Sequence, residues 1–439
     1  MKSMTMPAVC LGALLFAIPA ANAQDSAPIA QEVLPLSQGV SSPSVSLHDA
    51  IKTALQNSPF YAAAIDRSEA MKAVTSKAGA LPNPEVSFEM ENFSGSGPYS
   101  GTENAELTYG VSQLVELPGK RSGRVNAARG EEKKSLFERE AARLDLIRDV
   151  VTAYATLVAA EEELDVLREE KSMATNVYDS VVAKVDAGKE PPIQKNKAAI
   201  ELSSSNIALE RAERSVQTAK RVLANLMGVP SEGLVALPGT LPEMKSPLGL
   251  SAYADMIAST PDNLAYDASI ETAQSNLSYE RAGMVPDPTF NVGVRDYRED
   301  GEKAFLAGVS IPFPVFDMNR AGVRRAGHEY NAAMLDKAQA LLSSETALAE
   351  NYELFANAYQ ENKTLNEVVL PGAQEAFDAA RIGYNAGKFG YLEVLDAQRT
   401  LFDARKQAIQ TMLDYYRAMA VIDRMTAIHS TQTQKEKTP

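Results

Sequence analysis

The chain states one plan twice, and that constrains its fold more than any single residue does. Ser46 to Gly228 and Gly249 to Ala427 each read as short helices, a proline-flanked alternating strand, a second strand, one very long helical stretch and a shorter helix. Leu81-Pro82-Asn83-Pro84 answers to Val285-Pro286-Asp287-Pro288 at an offset of 204. Gly110-Val111-Ser112 answers to Gly308-Val309-Ser310 at 198, and Ala187-Gly188-Lys189 to Ala386-Gly387-Lys388 at 199. Such small drift places the length differences in loops. The expected division is therefore a first repeat over 46–228, a proline-containing linker over 229–248, a second repeat over 249–427 and a polar tail over 428–439.

The strand periods carry the next argument. In 84–91, Val86, Phe88 and Met90 alternate with Glu85, Ser87, Glu89 and Glu91. In 105–115, Leu107, Tyr109, Val111 and Gln113 alternate with Glu106, Thr108, Gly110 and Ser112. The second repeat does the same over 288–295 and 303–312, with the charged stretch Asp296 to Glu302 as its turn. A period of two with one apolar face describes a half-buried strand. Nine to eleven residues is also the length that crosses a bilayer at a tilt. Two hairpins cannot close a barrel, and lipid does not tolerate an open edge. Membrane strands here would need several chains; a soluble four-stranded sheet is the other reading that periodicity alone allows.

Ser122 to Ala187 and Ala321 to Ala386 each read as one long helix, about 100 Å if unbroken. Ile147, Val151, Tyr154 and Val158 step like a coiled-coil seam, as do Leu348, Tyr352, Phe355 and Tyr359. Each stretch ends at an Ala-Gly-Lys turn, where glycine suits a left-handed helix stop, and returns as a shorter helix, 193–227 and 391–425.

The first 23 residues read as a secretory signal: Lys2, an apolar core from Val9 to Ile18, and Ala21-Asn22-Ala23 as the cleavage site. Residues 24–45, rich in Pro, Ser and Gln, read as an extended arm. The single cysteine, Cys10, lies inside the signal, so the mature chain has no disulfide and no thiolate site. The net charge of −14 argues against nucleic acid. His48, His328 and His429 are scattered, and no metal site is expected from them. Met227, Met318, Met334 and Met412 read as packing residues. No nucleophile elbow, P-loop or zinc-protease motif is present, so no catalytic residues and no cofactor are expected.

The duplicated strand–strand–long-helix plan resembles the TolC family of outer-membrane efflux proteins. Leu81 to Pro84, Gln113 to Arg121, and Ile311-Pro312-Phe313-Pro314 look like its heavy-metal branch, of CzcC or CusC type. Gly387 to Arg399, ending in Leu395-Asp396-Ala397-Gln398-Arg399, is the most specific signature. The resemblance implies a mixed fold: a homotrimer whose three chains each give four strands to a 12-stranded outer-membrane β-barrel, continued by a periplasmic α-helical tunnel of coiled coils. It implies a passive duct in contact with outer-membrane lipid. Its partners would be a periplasmic adaptor protein and an inner-membrane, proton-driven RND pump. The implied cargo is cobalt, zinc, cadmium or copper; a multidrug duct and a soluble periplasmic scaffold are the alternatives.

Two groups of site residues follow from the same resemblance. Ala187, Gly188, Lys189 and Ala386, Gly387, Lys388 would be the adaptor-contact tips. Glu393 and Asp396, three apart on one helix face, would form an acidic ring in the trimer and act as a channel gate. In the first repeat those positions hold Gln194 and Lys197, so the ring would come from the second repeat alone. Pro191-Pro192 against Gly390-Tyr391 makes the two tips unequal, and Phe389 stands where a basic gate partner would sit.

Overall fold

The computed structural model describes residues 44–237 and 239–428. The signal sequence with Cys10, the arm up to residue 43, His429 and the tail beyond 428 lie outside the described residues. In chain order the elements are β1 (Ser44–Val45), α1 (Leu47–Asn57), α2 (Pro59–Ala78), β2 (Glu85–Glu91), β3 (Glu106–Leu114), α3 (Lys120–Asp186) and α4 (Pro192–Met227). After β4 (Val235–Ala236), the second repeat follows as α5 (Leu250–Ile257), α6 (Pro261–Ala282), β5 (Thr289–Tyr297), β6 (Lys303–Ser310), α7 (Arg320–Thr364), a π turn (Leu365–Val369), α8 (Leu370–Asn385) and α9 (Tyr391–Thr426).

The four long strands form one antiparallel sheet in the order β2-β3-β5-β6. The register stacks like with like. Phe88, Tyr109, Val294 and Phe305 share one row, and Val86, Val111, Val292 and Ala307 the next. On the opposite face, Glu89, Thr108, Arg295 and Ala304 share a row. Within the chain the apolar face is uncovered: Val86, Phe88, Val292 and Phe305 are all exposed. The sequence reading carried the fourth strand to residue 312, but its ladder stops at Ser310. Pro312 and Pro314 have no N–H to continue it.

The long helix α3 runs 67 residues without a break, about 100 Å at the helical rise. Its middle is not a single coiled-coil seam. Leu146, Val150, Tyr154 and Leu157 pack with residues of α1 and α4. Ile147 and Val151 pack with Ala420 of α9, and Ala155 and Ala159 enter a third cluster with α7 and α9. Several faces of one helix are buried because alanines let neighbours approach closely on the sides that carry no large residue. The counterpart in the second repeat is not continuous. The π turn divides it, and Pro371 and Gly372 follow in the next turn. A proline there removes an intrahelical donor and crowds the preceding carbonyl, which the extra residue of a π turn accommodates.

The linker is pinned from both sides. Its Val235 and Ala236 form β4 and pair in parallel with Ser44 and Val45, so the end of the arm is a strand. From the first repeat, the buried Tyr154 hydroxyl donates to the Val45 carbonyl at 2.9 Å. From the second, the Tyr415 hydroxyl donates to the Lys245 carbonyl at 2.9 Å and accepts from the Lys245 N–H at 2.8 Å, while the Tyr416 hydroxyl donates to the Pro242 carbonyl. Burial, with Tyr415 and Glu162 nearby, pushes the Tyr416 phenol up to about 12, so it stays a neutral donor across the physiological range.

Candidate functional site

Both hairpins turn through the same backbone device. In the first, the Gly188 N–H donates to the Val185 carbonyl at 2.9 Å and the Lys189 N–H to the Lys184 carbonyl at 2.8 Å. In the second, Gly387 bonds to Tyr384 at 3.0 Å and Lys388 to Gly383 at 2.8 Å. This pairing is the Schellman stop, and it requires a left-handed residue after the helix. Gly188 and Gly387 supply it with φ of 70° and 71°. Ala187, Gly188 and Lys189, like Ala386, Gly387 and Lys388, are exposed, and open space surrounds both glycines.

Side chains then make the tips different. Phe389 lies against Gly383, where an added Cβ would stand 2.2 Å from the ring. The aromatic ring therefore needs that glycine and does not line an ion-pair lock. In the first tip Glu190 and Pro191 precede the returning helix, which starts at Pro192. The two tips are tied to each other: Lys184 Nζ of α3 sits 3.3 Å above the Tyr384 ring of α8, a cation–π contact. Tyr384 is buried and its hydroxyl has no hydrogen-bond partner among the described residues; it borders a cavity of about 300 Å³ with Met173, Val177, Phe377 and Val394.

Glu393 and Asp396 both lie on the exposed face of α9, opposite the buried Val394, Gln398 and Leu401. Among the described residues neither carboxylate makes an ion pair. The Glu393 carboxylate folds back over Gly390, where an added Cβ would meet it at 2.8 Å. It thus sits in the first turn of α9, where the helix dipole favours a negative charge. In the first repeat, Gln194 is half-buried, its side-chain carbonyl oxygen without a partner among the described residues, and Lys197 is exposed. Beyond the acid pair, Arg399 donates to Glu201 of α4 at 2.5 Å. That hydrogen bond raises the Arg399 pKa, and burial raises that of the nearby Tyr391.

At the other end of the long helices, the polar face of the sheet is a second chemical surface, one that sequence reading treated only as the polar half of an alternation. Glu85, Glu89, Glu91 and Glu106 lie on it. Arg295 crosses from β5 to donate to Glu106 at 2.8 Å and Thr108 at 2.9 Å, and approaches Glu91 at 3.2 Å. Two of the four carboxylates on this face thus share one guanidinium. Among the described residues no group of three or more His, Cys, Asp or Glu could hold a metal ion, so neither surface is a closed metal site.

A model of the outer membrane efflux protein family matches residues 50–229 and 252–427. The chain is 31% identical to the cobalt-zinc-cadmium resistance protein CzcC of Cupriavidus metallidurans, over 80% of this chain and 82% of that protein. It is 25% identical to the pyoverdine export outer membrane protein OpmQ of Pseudomonas putida, over 86% and 84%. Among solved structures, it superposes on the outer membrane protein VceC of Vibrio cholerae with a TM-score of 0.72 and 21% identity, covering 87% of this chain and 95% of VceC. That likeness speaks for the fold.

Proposed function

The chain belongs to the outer membrane efflux protein family, and we propose that it is the exit duct of a three-part efflux assembly whose cargo is heavy-metal cations. It is a transport conduit of the outer membrane. The observation that carries the proposal is the sheet: one continuous apolar face and two unpaired edges, standing on helices about 100 Å long. Strands alternate in direction along β2-β3-β5-β6, so the two edges, β2 and β6, run opposite ways. Copies set head to tail can therefore pair β6 of one with β2 of the next as antiparallel neighbours. A trimer closes twelve strands and leaves no edge in lipid. The apolar rows face the membrane, and the glutamate-bearing face lines the pore. Rings of carboxylate there and at Glu393 and Asp396 favour cations over anions.

The named activity of CzcC supports metal cations as the cargo; pyoverdine export by OpmQ marks the alternative class of small molecule. The adaptor would dock at the paired Ala-Gly-Lys tips, joining the duct to an inner-membrane RND pump. The test begins with detergent-purified protein from outer-membrane fractions. A trimeric mass and a cation-preferring single-channel current are expected. A monomer without current would sink the duct. For cargo, strains lacking the gene should grow poorly on cobalt, zinc or cadmium; unchanged metal tolerance with increased sensitivity to drugs would overturn the metal assignment.

A further inference from the structure

The junction between sheet and helices carries an arrangement that transport does not use. Beyond β6 the alternation continues: Phe305, Ala307 and Val309 are followed at the same period by Ile311 and Phe313. Prolines 312 and 314 hold the residues before them extended, so Phe313 prolongs the apolar rows past the end of the ladder. Phe313 is 88% exposed and Phe316 102%. Directly after them, α7 begins with Arg320 and Arg324, one turn apart and both exposed. Neither makes an ion pair or hydrogen bond among the described residues, whereas the adjacent Arg325 is held by Glu280 and Glu329.

The first repeat has its own version. A cleft of about 850 Å³ opens between the end of α2 and the start of α3. Arg121 and Arg129 line it, both exposed and without a carboxylate partner among the described residues. Glu116 borders the same cleft, but it is neutralised by Arg124. Arg121 spends only its Nε, on the Gly79 carbonyl at 2.9 Å. Each repeat thus places two unpaired guanidinium groups within the first three turns below the apolar strand face.

The geometry points to a binding belt for the phosphodiester headgroups of the phospholipid leaflet that faces the helices. The inference rests on the outer-membrane duct reading. Guanidinium groups bind phosphate oxygens through paired N–H donors, and their stems can lie along apolar surface. Exposed aromatic rings between an apolar band and a cationic one match the interface between acyl chains and headgroups. Continuity with the lipid-facing rows chooses the lipid over an acidic protein, and the sign of the charge disfavours a second copy of the chain, which offers arginine at the same level.

The experiment is native mass spectrometry of the detergent-purified full chain with phosphatidylglycerol or phosphatidylcholine added. The wild type is expected to retain phosphatidylglycerol preferentially. One guanidinium near an anionic surface is worth about a fivefold change in binding. The variant carrying Arg121→Gln, Arg129→Gln, Arg320→Gln and Arg324→Gln should lose that preference about twentyfold or more, by the same principle. The corresponding lysine variant should recover part of it, and helix content by circular dichroism should match the wild type in both. Equal retention by wild type and glutamine variant would overturn the belt. So would full displacement of the lipid by millimolar inorganic phosphate, which would make this a free-anion site. Dissociation of a Phe313→Ser/Phe316→Ser trimer with lipid retention unchanged would instead make the aromatic segment a subunit contact. Single-channel current of the wild type separates the two readings. A conducting protein without headgroup preference refutes the belt alone; absence of current refutes the duct.

Discussion

The two helical hairpins share a backbone turn and differ in nearly everything that would let one move. The first, α3 with α4, is an uninterrupted helix returning through two prolines, with Gln194 and Lys197 in its returning turn. The second, α7 to α9, is divided by the π turn and held together there by buried polar groups. Asn362 donates from Nδ2 to the Ala408 carbonyl at 2.9 Å and to the Thr411 hydroxyl at 3.0 Å, and Asn366 bonds back to Asn362 at 2.9 Å. The corresponding positions in the first repeat are Glu163, exposed, and the apolar Leu167 and Leu209. The duplicated unit keeps its turn and changes its spine. The long helix of the first hairpin runs unbroken, and the second carries a point where helical bonding is already irregular.

The largest effect should come from the residue that clamps the second hairpin to both halves. Arg424, near the end of α9, meets Asp145 of α3 at 2.8 Å and Asp262 of α6 at 2.5 Å. Its guanidinium is largely buried. Burial opposes the charge, but the hydrogen bonds to Asp262 and Asp145 more than compensate and raise its pKa. Arg424→Leu takes from Asp262 its one ion-pair partner among the described residues and leaves Asp145 with Arg148 alone. It should cost about 3 kcal/mol, toward the low end for a buried network because Asp262 is half exposed. The counterpart in α4 is the exposed Asn225, and Asn225→Leu should stay within about 0.5 kcal/mol. Denaturant melts of both variants check the contrast; equal losses would mean that the clamp is not specific to the second hairpin.

Next comes the spine itself. Asn362→Ala should cost about 2 kcal/mol, through lost hydrogen bonds and a small cavity, and Glu163→Ala about 0.5 kcal/mol or less. Hydrogen exchange should rise over residues 365–372 in the first variant only. Protection unchanged there would show that the π turn does not depend on its asparagine.

The sequence made the turn legible and left the spine illegible, for identifiable reasons. A glycine that must take positive φ announces itself when it recurs in Ala-Gly-Lys at a fixed offset, and strand faces announce themselves by alternation. The π turn had a signal, Pro371-Gly372 inside an otherwise helical run, which the reading of one long helix over 321–386 passed over. The pairing of β1 with β4 had none, because two-residue strands carry no period. Tyr154 looked like one more seam residue; only the fold shows that its hydroxyl holds the arm. Glu393 and Asp396 were singled out by resemblance alone, whereas the pairing of Arg295 with Glu91 and Glu106 needed the register of the sheet.

At the tips the comparison becomes one of equal backbone turns against unequal side chains. Gly188→Val and Gly387→Val each force a β-branched residue into left-handed backbone, at about 1–2 kcal/mol, and neither meets a steric obstacle. Their stability losses should therefore agree. Crosslinking to the adaptor should fall in both if the grooves are equivalent, and in one alone if Pro191-Pro192 and Phe389 make them distinct. Normal crosslinking and efflux in both variants would remove the turns as docking elements.

The smallest effect on stability should be the most informative about function. Glu393→Ala with Asp396→Ala removes charge from an exposed helix face and from the first turn of α9, where a carboxylate is worth about 0.3–1 kcal/mol. Folding should barely change. In a closed trimer, however, each position repeats three times around the pore, so the loss is two whole rings of carboxylate. Conductance should rise and cation preference should fall. The reciprocal change, Gln194→Glu with Lys197→Asp, places the same pair on the first hairpin. If the rings act by charge alone, that variant should raise cation preference above the wild type. If it leaves selectivity unchanged while the alanine pair alters it, the acids act only when they stand on the second hairpin, whose irregular spine can carry them toward or away from the axis. A current unaltered in both variants would separate the acid pair from the gate altogether.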